Sequence, residues 1–293
     1  MTPSTMELLT AAGLDPEVVT DTVRRALAED LGPDTVDVTT VATIPADQRD
    51  TAELVARAGG VVAGLPVAAT VFDLASAGTV RFDQRVPDGT EVRRGDVLAV
   101  LEGPSRALLV AERTALNLLC RASGVATHTH RWAEALAGTG AQVLDTRKTT
   151  PGLRFLDKYA VRAGGGTNKR MGLYDVAMVK DNHKLAAGSI TAAYQRIRER
   201  FPEVAIQVEV TTVDEAVEAV AAGATFLLCD NMSPALLRSV VAAVGGKAEL
   251  EATGNLTLDR AREYAETGVQ YLSVGGLTHS SPILDIAMDL RGR

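Results

Sequence analysis

The chain has 293 residues, of which 46% are hydrophobic, and a formal net charge of −7. That length suggests one large domain or two, with enough apolar residue to build a sizeable core. The acidic balance excludes a global basic footprint for nucleic acid, and the short, interrupted apolar runs exclude a membrane-spanning helix.

The first residues, "MTPSTMELLTAAGLDPE", carry no basic segment followed by an apolar core. No signal peptide is expected, and the chain reads as cytoplasmic. "PEVVTDTVRRALAED" (16–30) has helical spacing with a proline near its start. "TAELVARAGGVVAG" (51–64) reads as a strand, a glycine turn and a second strand, and "LPVAATVFDLA" as a helix. "TVRFDQRVPDGTEVRRGDVLAVLEGP" reads as paired strands turning at "PDG" and "RRGD". This hairpin looks like a biotinyl or lipoyl carrier turn, but the first lysine of the chain is Lys148, so covalent carriage there is excluded. "SRALLVAERTALNLLCRASGVATHTHRWAEALAG" is a long amphipathic stretch of one or two helices ending at Gly138.

From Gln142 onward the pattern changes. Apolar strand-like runs alternate with helical patterns, and each run ends in polar residues: "QVLDTRK", "VAMVKDN", "IQVEVTT", "FLLCDN", "AELEATGN" and "YLSVGG". Repeated βα units imply a parallel sheet closed, or nearly closed, as a barrel, with its site at the carboxyl ends of the strands. Six clear units leave that barrel incomplete. "ILDIAMDLRGR" reads as a strand returning to the first domain. The expected fold is α/β: an N-terminal open α/β sandwich over residues 1–125, with the return over 281–293, and a barrel over 126–280.

The strand ends bring together the cations Arg147, Lys148 and Lys180 and the carboxylates Glu209 and Asp230, and the loop after "GGG" adds Lys169 and Arg170. Five of the six lysines, Lys148, Lys158, Lys169, Lys180 and Lys184, fall in this neighbourhood. Several cations in one mouth suggest a substrate with more than one negative group. Two carboxylates at adjacent strand ends suit a divalent metal, sugar hydroxyls or a developing cation. "ATGN" and "VGG", at the last two strand ends, suit a phosphate held by backbone N–H groups. Lys158 and Lys184 read as solvated charges, and His183 as a residue shaping its loop. His128 and His130, two apart in a helical stretch, point to different faces. Cys120 and Cys229 read as reduced, buried thiols.

Taken in order, "ERTALNLLCRASGVAT", "DTRKTTPGLR", "KYAVRAGGG", "VKDNH", "VEV", "CDNM", "EATGN" and "YLSVGGLTHS" resemble the quinolinate phosphoribosyltransferase family over roughly residues 15–290. The resemblance implies a type II phosphoribosyltransferase fold with an incomplete, seven-stranded α/β barrel. It implies phosphoribosyl transfer from phosphoribosyl pyrophosphate to quinolinate, giving nicotinate mononucleotide, pyrophosphate and carbon dioxide, with Mg²⁺. It implies a homodimer in which Arg113 of "ERT" enters the neighbouring subunit's site. Carried over by residue, Arg147 and Lys148, with Thr149 beside them, bind the dicarboxylate together with Lys169, Arg170 and Lys180. Lys148, Lys180, Glu209 and Asp230 are the catalytic group. Glu209 and Asp230 hold ribose hydroxyls or the metal, directly or through water. Thr253, Gly254, Asn255, Ser273, Gly275 and Gly276 take the 5′-phosphate, supported by His279. The family commonly reads His-Arg where this chain has Lys169-Arg170. Other readings are a related phosphoribosyltransferase with a different acceptor, a Schiff-base barrel lyase using Lys180, and a non-catalytic sensor of a pyridine dicarboxylate.

Overall fold

The computed structural model describes residues 1–291, and the chain divides into two compact units. The first comprises Met1–His128, Thr150–Gly165 and the described residues from Ser280 onward, and the second Thr129–Thr149 and Gly166–His279.

The first unit begins with helices α1 (Pro3–Ala11), α2 (Pro16–Leu31) and α3 (Val38–Thr43). Asp15 caps α2 by accepting from the Glu17 N–H at 2.9 Å, with Pro16 in the first turn, where a missing N–H costs nothing. Strand β1 (Arg49–Ala56) is followed by the short β2 (Gly60–Val61), then helix α4 (Leu65–Ser76) and strands β3 (Arg81–Gln84), β4 (Glu91–Val92) and β5 (Val97–Pro104). Helix α4 is apolar nearly all round and buried along most of its length. It has no capping side chain of its own in sequence. Asp88, from the "PDG" turn, caps it instead by accepting from the Gly64 N–H at 2.6 Å and the Leu65 N–H at 3.2 Å, and it also takes the Tyr159 hydroxyl at 2.6 Å.

Helix α5 (Ser105–Leu136) is a single unbroken helix, which settles the choice between one and two. The last strand of the chain is left for the first sheet. Numbered after β6 to β11 of the second unit, it is β12 (Ile286–Arg291), and it pairs antiparallel with β1 from Thr51↔Arg291 to Ala56↔Ile286. The sheet order is β12-β1-β5-β3, so the expected C-terminal return is an edge strand here.

Helix α6 (Arg154–Ala163) also groups with the first unit. Its residues Leu156 to Val161 are all buried. Asp157 accepts from the Thr150 N–H at 2.9 Å and lies 3.1 Å from the Arg121 guanidinium. Lys158 is 1% exposed, which corrects its reading as a solvated charge. Leu156, Tyr159, Ala160 and Val161 form an apolar stripe, and burial extends past it to Asp157 and Lys158.

The second unit holds β6 (Gln142–Leu144), β7 (Val176–Val179), α7 (Asp181–Ala187), α8 (Ile190–Arg200), β8 (Ala205–Val210), α9 (Val213–Ala221), β9 (Phe226–Asp230), α10 (Pro234–Val244), β10 (Glu249–Thr253), α11 (Ala261–Ala265), β11 (Tyr271–Ser273) and α12 (Gly276–His279). All its strand pairs are parallel, in the order β6-β11-β10-β9-β8-β7. A parallel bridge, Leu144↔Thr167, adds a rudimentary seventh member beside β6. This is an incomplete α/β barrel, as expected, open between the Thr167 segment and β7. Ser189, Thr212 and Ser233 cap α8, α9 and α10, each accepting from the backbone N–H three residues on. Such caps contribute about 1 kcal/mol each and fix where these three helices start.

Candidate active site

Strand alternation decides which side chains face the barrel axis. In β8, Ile206, Val208 and Val210 are buried, while Gln207 and Glu209 alternate with them. Register then sets the layers. Glu209 lies beside Leu228, Leu228 beside Glu251, and Asp230 beside Thr253. Glu251 therefore sits one layer beneath Thr253.

A cavity of ≈ 460 Å³ opens at the carboxyl ends of these strands, large enough for a small-molecule substrate. Arg147, Lys148, Lys169, Arg170, Lys180, Glu209, Asp230, Thr253, Gly254, Asn255 and Ser273 all line it, beside Thr146, Met178, Leu228 and Asn231. Those lining residues include five cationic side chains and two carboxylates. Thr149, Gly275, Gly276 and His279 stand next to these in sequence or at the following turn but are not in the lining. Arg113 is carried by α5 in the first unit.

Each cation is placed by something specific. Asp145, fully buried at the end of β6, accepts from the Lys169 N–H at 2.8 Å and the Asn168 amide at 2.7 Å. The loop after "GGG" is thereby tied to the barrel. The Lys169 ammonium then reaches Glu251 Oε1 at 2.6 Å. Burial lowers the Lys169 pKa, assisted by the Arg170 and Lys180 charges, and Glu251 opposes the shift. Arg170 donates to the Val176 carbonyl at 2.8 Å, at the start of β7. Burial and the nearby Arg147 guanidinium depress Arg170 below the usual arginine value. Nε of Arg147 is shielded from solvent and has no acceptor in the described protein. Two like charges held together, one with an unmet donor, suit an anion.

Lys180 lies 3.4 Å from Glu209, with its side chain 51% exposed. Its backbone N–H donates to His183 Nδ1 at 3.0 Å. His183 thus closes the first turn of α7, in keeping with a residue that shapes its loop. A Schiff-base lysine wants an apolar pocket, which this half-exposed, carboxylate-flanked position does not offer. Lys184 corrects its reading as a solvated charge. Its ammonium lies 2.7 Å from Asp181 and 2.9 Å from Glu215, 11% exposed.

The turns after β10 and β11 are built on close approach. A Cβ at Gly275 would fall 2.8 Å from Lys148 Cδ and 3.3 Å from His279 Nε2, so the missing side chain leaves the lysine its present path. Thr278 donates its hydroxyl to the Lys148 carbonyl at 2.8 Å. Sequence reasoning placed Asp145 at a strand end without giving it a role, and did not single out Asn231 or Thr278 for the site. Each lies inside a motif quoted for the resemblance, but its role depends on partners from other strands. Among the described residues no group of three or more His, Cys, Asp or Glu gathers as a metal cage.

Residues 37–123 match the family "Quinolinate phosphoribosyl transferase, N-terminal domain", and residues 125–289 match "Quinolinate phosphoribosyl transferase, C-terminal domain". The chain belongs to the quinolinate phosphoribosyltransferase family. It is 45% identical to the nicotinate-nucleotide pyrophosphorylase (carboxylating) of Mycobacterium leprae, over 92% of this chain and 96% of that protein. It is 37% identical to quinolinate phosphoribosyltransferase (decarboxylating) 1b of Nicotiana tabacum, over 92% of this chain and 81% of the other. Among solved structures, NadC from Streptococcus pyogenes superposes with a TM-score of 0.90 at 38% identity, covering 95% of this chain and 97% of that one. The nicotinate-nucleotide pyrophosphorylase of Francisella tularensis gives the same TM-score, 0.90, at 34% identity, covering 95% of this chain and 98% of the other. A family-wide likeness of this extent covers both units of the fold.

Proposed function

We propose that this chain transfers the phosphoribosyl group of phosphoribosyl pyrophosphate to quinolinate, releasing pyrophosphate and carbon dioxide and forming nicotinate mononucleotide on the de novo route to NAD. The observation that carries this reading is the cavity itself: five cations and two carboxylates at the strand ends of a family barrel. Both substrates are polyanions that must share one pocket on a chain of net charge −7, and the clustered cations answer that need.

Arg147, Arg170 and Lys180, with Thr149, take the two carboxylates of quinolinate and aim the ring nitrogen at ribose C1, a positioning contribution. Lys169 shares the pocket floor, its charge balanced by Glu251. The C1–O bond to pyrophosphate breaks, the bonding pair leaves with pyrophosphate, and the ring nitrogen supplies the pair of the new C1–N bond. The intervening state is oxocarbenium-like, by analogy with glycosyl transfer. Glu209 and Asp230 stabilise it and hold the ribose hydroxyls, while Lys148 meets the departing charge. Thr253, Gly254 and Asn255, with Ser273, Gly275, Gly276 and His279, hold the 5′-phosphate. Loss of carbon dioxide from the carbon beside the quaternised nitrogen leaves an electron pair that the cationic ring stabilises, and a proton replaces the carboxyl group.

Glu209 and Asp230, two hard oxygen donors at adjacent strand ends, would hold Mg²⁺, which keeps several waters and leans on substrate phosphates. When bound, it neutralises pyrophosphate charge, with Glu209 and Asp230 as its protein partners. The reading also includes a homodimer in which Arg113 of one copy enters the other's site, and a cytoplasmic location, which the buried free thiols Cys120 and Cys229 support. Among the described residues no helix is long and apolar enough to cross a membrane.

The test is a direct assay of purified protein with quinolinate, phosphoribosyl pyrophosphate and Mg²⁺, following nicotinate mononucleotide and carbon dioxide together. Nicotinate serves as the parallel acceptor. Equal amounts of both products from quinolinate, with nicotinate inert, are expected. No turnover with quinolinate would move the reading to a different acceptor.

A further inference from the structure

Asn231, the residue after Asp230 at the end of β9, has φ of +52°, a left-handed conformation that asparagine tolerates better than most residues but still adopts at a cost. Such backbone persists where the surroundings over-determine it, and here they do. The Asn231 N–H donates to the Thr253 carbonyl at 2.9 Å, joining the end of β9 to the end of β10. Its side-chain Nδ2 donates to Asp230 Oδ2 at 2.8 Å. Its Oδ1 accepts from Asn255 Nδ2 at 3.1 Å. Both ends of one amide are therefore committed, which fixes its orientation: only nitrogen can donate to a carboxylate.

Gly254 completes the arrangement. With φ of +92°, it lies so close to Asn231 that a Cβ would fall 2.3 Å from Asn231 Oδ1 and 2.6 Å from its Cγ. The amide occupies the space that the missing side chain leaves. Asp230, Asn231, Gly254 and Asn255 all line the cavity.

We propose that Asn231 is a positioning residue that couples the ribose-side carboxylate of Asp230 to the phosphate-binding turn at 253–255. By holding Asp230 Oδ2 it directs Oδ1 to the ligand, and by holding Asn255 it fixes the turn at the matching distance. The two ends of phosphoribosyl pyrophosphate then meet one pre-set frame, whereas the quinolinate cations lie outside this network. The proposal rests on the roles given above to Asp230 and to residues 253–255.

The experiment compares Asn231→Gly, Asn231→Asp and Asp230→Asn with the wild-type full-length protein. Asn231→Gly keeps the left-handed backbone and removes the amide. Asn231→Asp keeps the shape but sets a carboxylate oxygen against Asp230. Steady-state constants are measured with each substrate varied, together with calorimetric binding of phosphoribosyl pyrophosphate and Mg²⁺ without quinolinate. Asn231→Gly is expected to lose about 10- to 100-fold in kcat/KM and in binding for phosphoribosyl pyrophosphate, with the KM for quinolinate within about twofold of wild type. Asn231→Asp is expected to lose more, through like-charge repulsion. If Asn231→Gly leaves both constants unchanged while Asp230→Asn is impaired, the coupling is overturned and the role of Asp230 stands. If Asp230→Asn leaves phosphoribosyl pyrophosphate binding unchanged, the parent assignment fails. Equal losses for both substrates would make Asn231 a general structural residue and overturn the proposal.

Discussion

The ammonium of Lys169 lies 2.6 Å from Oε1 of Glu251, inside the barrel, with side chains 7% and 0% exposed. The other carboxylate oxygen of Glu251 is buried without a hydrogen-bond partner in the described protein. A buried pair of this kind is expensive to desolvate, and removing one partner strands the other charge. Lys169→Met is expected to lower the stability of the barrel by about 3 kcal/mol, and Lys169→Met/Glu251→Leu to recover much of that loss. Urea midpoints of the three proteins check this. A double variant as unstable as the single one would show that the pair itself, not the stranded carboxylate, carries the stability.

Arg147 has a shielded Nε without an acceptor and a neighbouring guanidinium in Arg170. An incoming carboxylate relieves both conditions. Arg147→Ala is expected to raise the KM for quinolinate by about 10- to 100-fold, the value of a charge-assisted hydrogen bond. Stability should change little. Unchanged quinolinate affinity would remove Arg147 from the cage.

Gly275 tests the path of Lys148. An added Cβ would meet Lys148 Cδ at 2.8 Å, which a flexible side chain can escape by moving. Gly275→Ala should therefore fold with a near-normal thermal midpoint while losing about tenfold or more in kcat/KM, because a displacement near 1 Å is costly to positioning. Thermal melts and steady-state kinetics on the same preparation separate the two effects.

Glu215 gives a pH-dependent prediction. It accepts from the Thr211 N–H at 2.7 Å and from Lys184 at 2.9 Å, tying the start of α9 to α7. Burial pushes its pKa up, but these hydrogen bonds and the Lys184 charge outweigh it and hold the group below its ordinary value of 4.5. A carboxyl lowered on folding contributes stability above its unfolded value, and that contribution is lost as pH falls through the folded value. Glu215→Gln is expected to be less stable than wild type by about 1 kcal/mol at pH 7. The difference should close as the pH is lowered below about 4. A gap that stays constant down to pH 3 would mean that the charge of Glu215 is not what ties the helices.

The helix starts of the barrel have local causes. Ser189, Thr212 and Ser233 stand immediately before apolar-periodic runs and cap them three residues on. The strand-end charges were legible because Lys180, Glu209 and Asp230 each close an apolar run. The helix α7 was harder to see, because its cap is the unusual Lys180–His183 contact rather than a Ser, Thr, Asp or Asn. Lys158 misled because a charged residue is expected in water, and the apolar face of its helix does not tell that the face bearing Asp157 and Lys158 is covered as well.

The sequence by itself determined the alternation of strand and helix, the parallel sheet that such alternation demands, and the chemical character of the barrel mouth. These follow from periodicity, capping and residue type, which act over a few positions. Only the tertiary structure decided that Glu251 lies beneath Lys169, 82 residues away, and that Asn231 reaches Asn255 across 24. The second contact is set by the register between β9 and β10, where one residue of slip turns every side chain to the opposite face, and the first by the loop that Asp145 ties to the end of β6. Register depends on the packing of the whole barrel, so no short stretch of the chain encodes it.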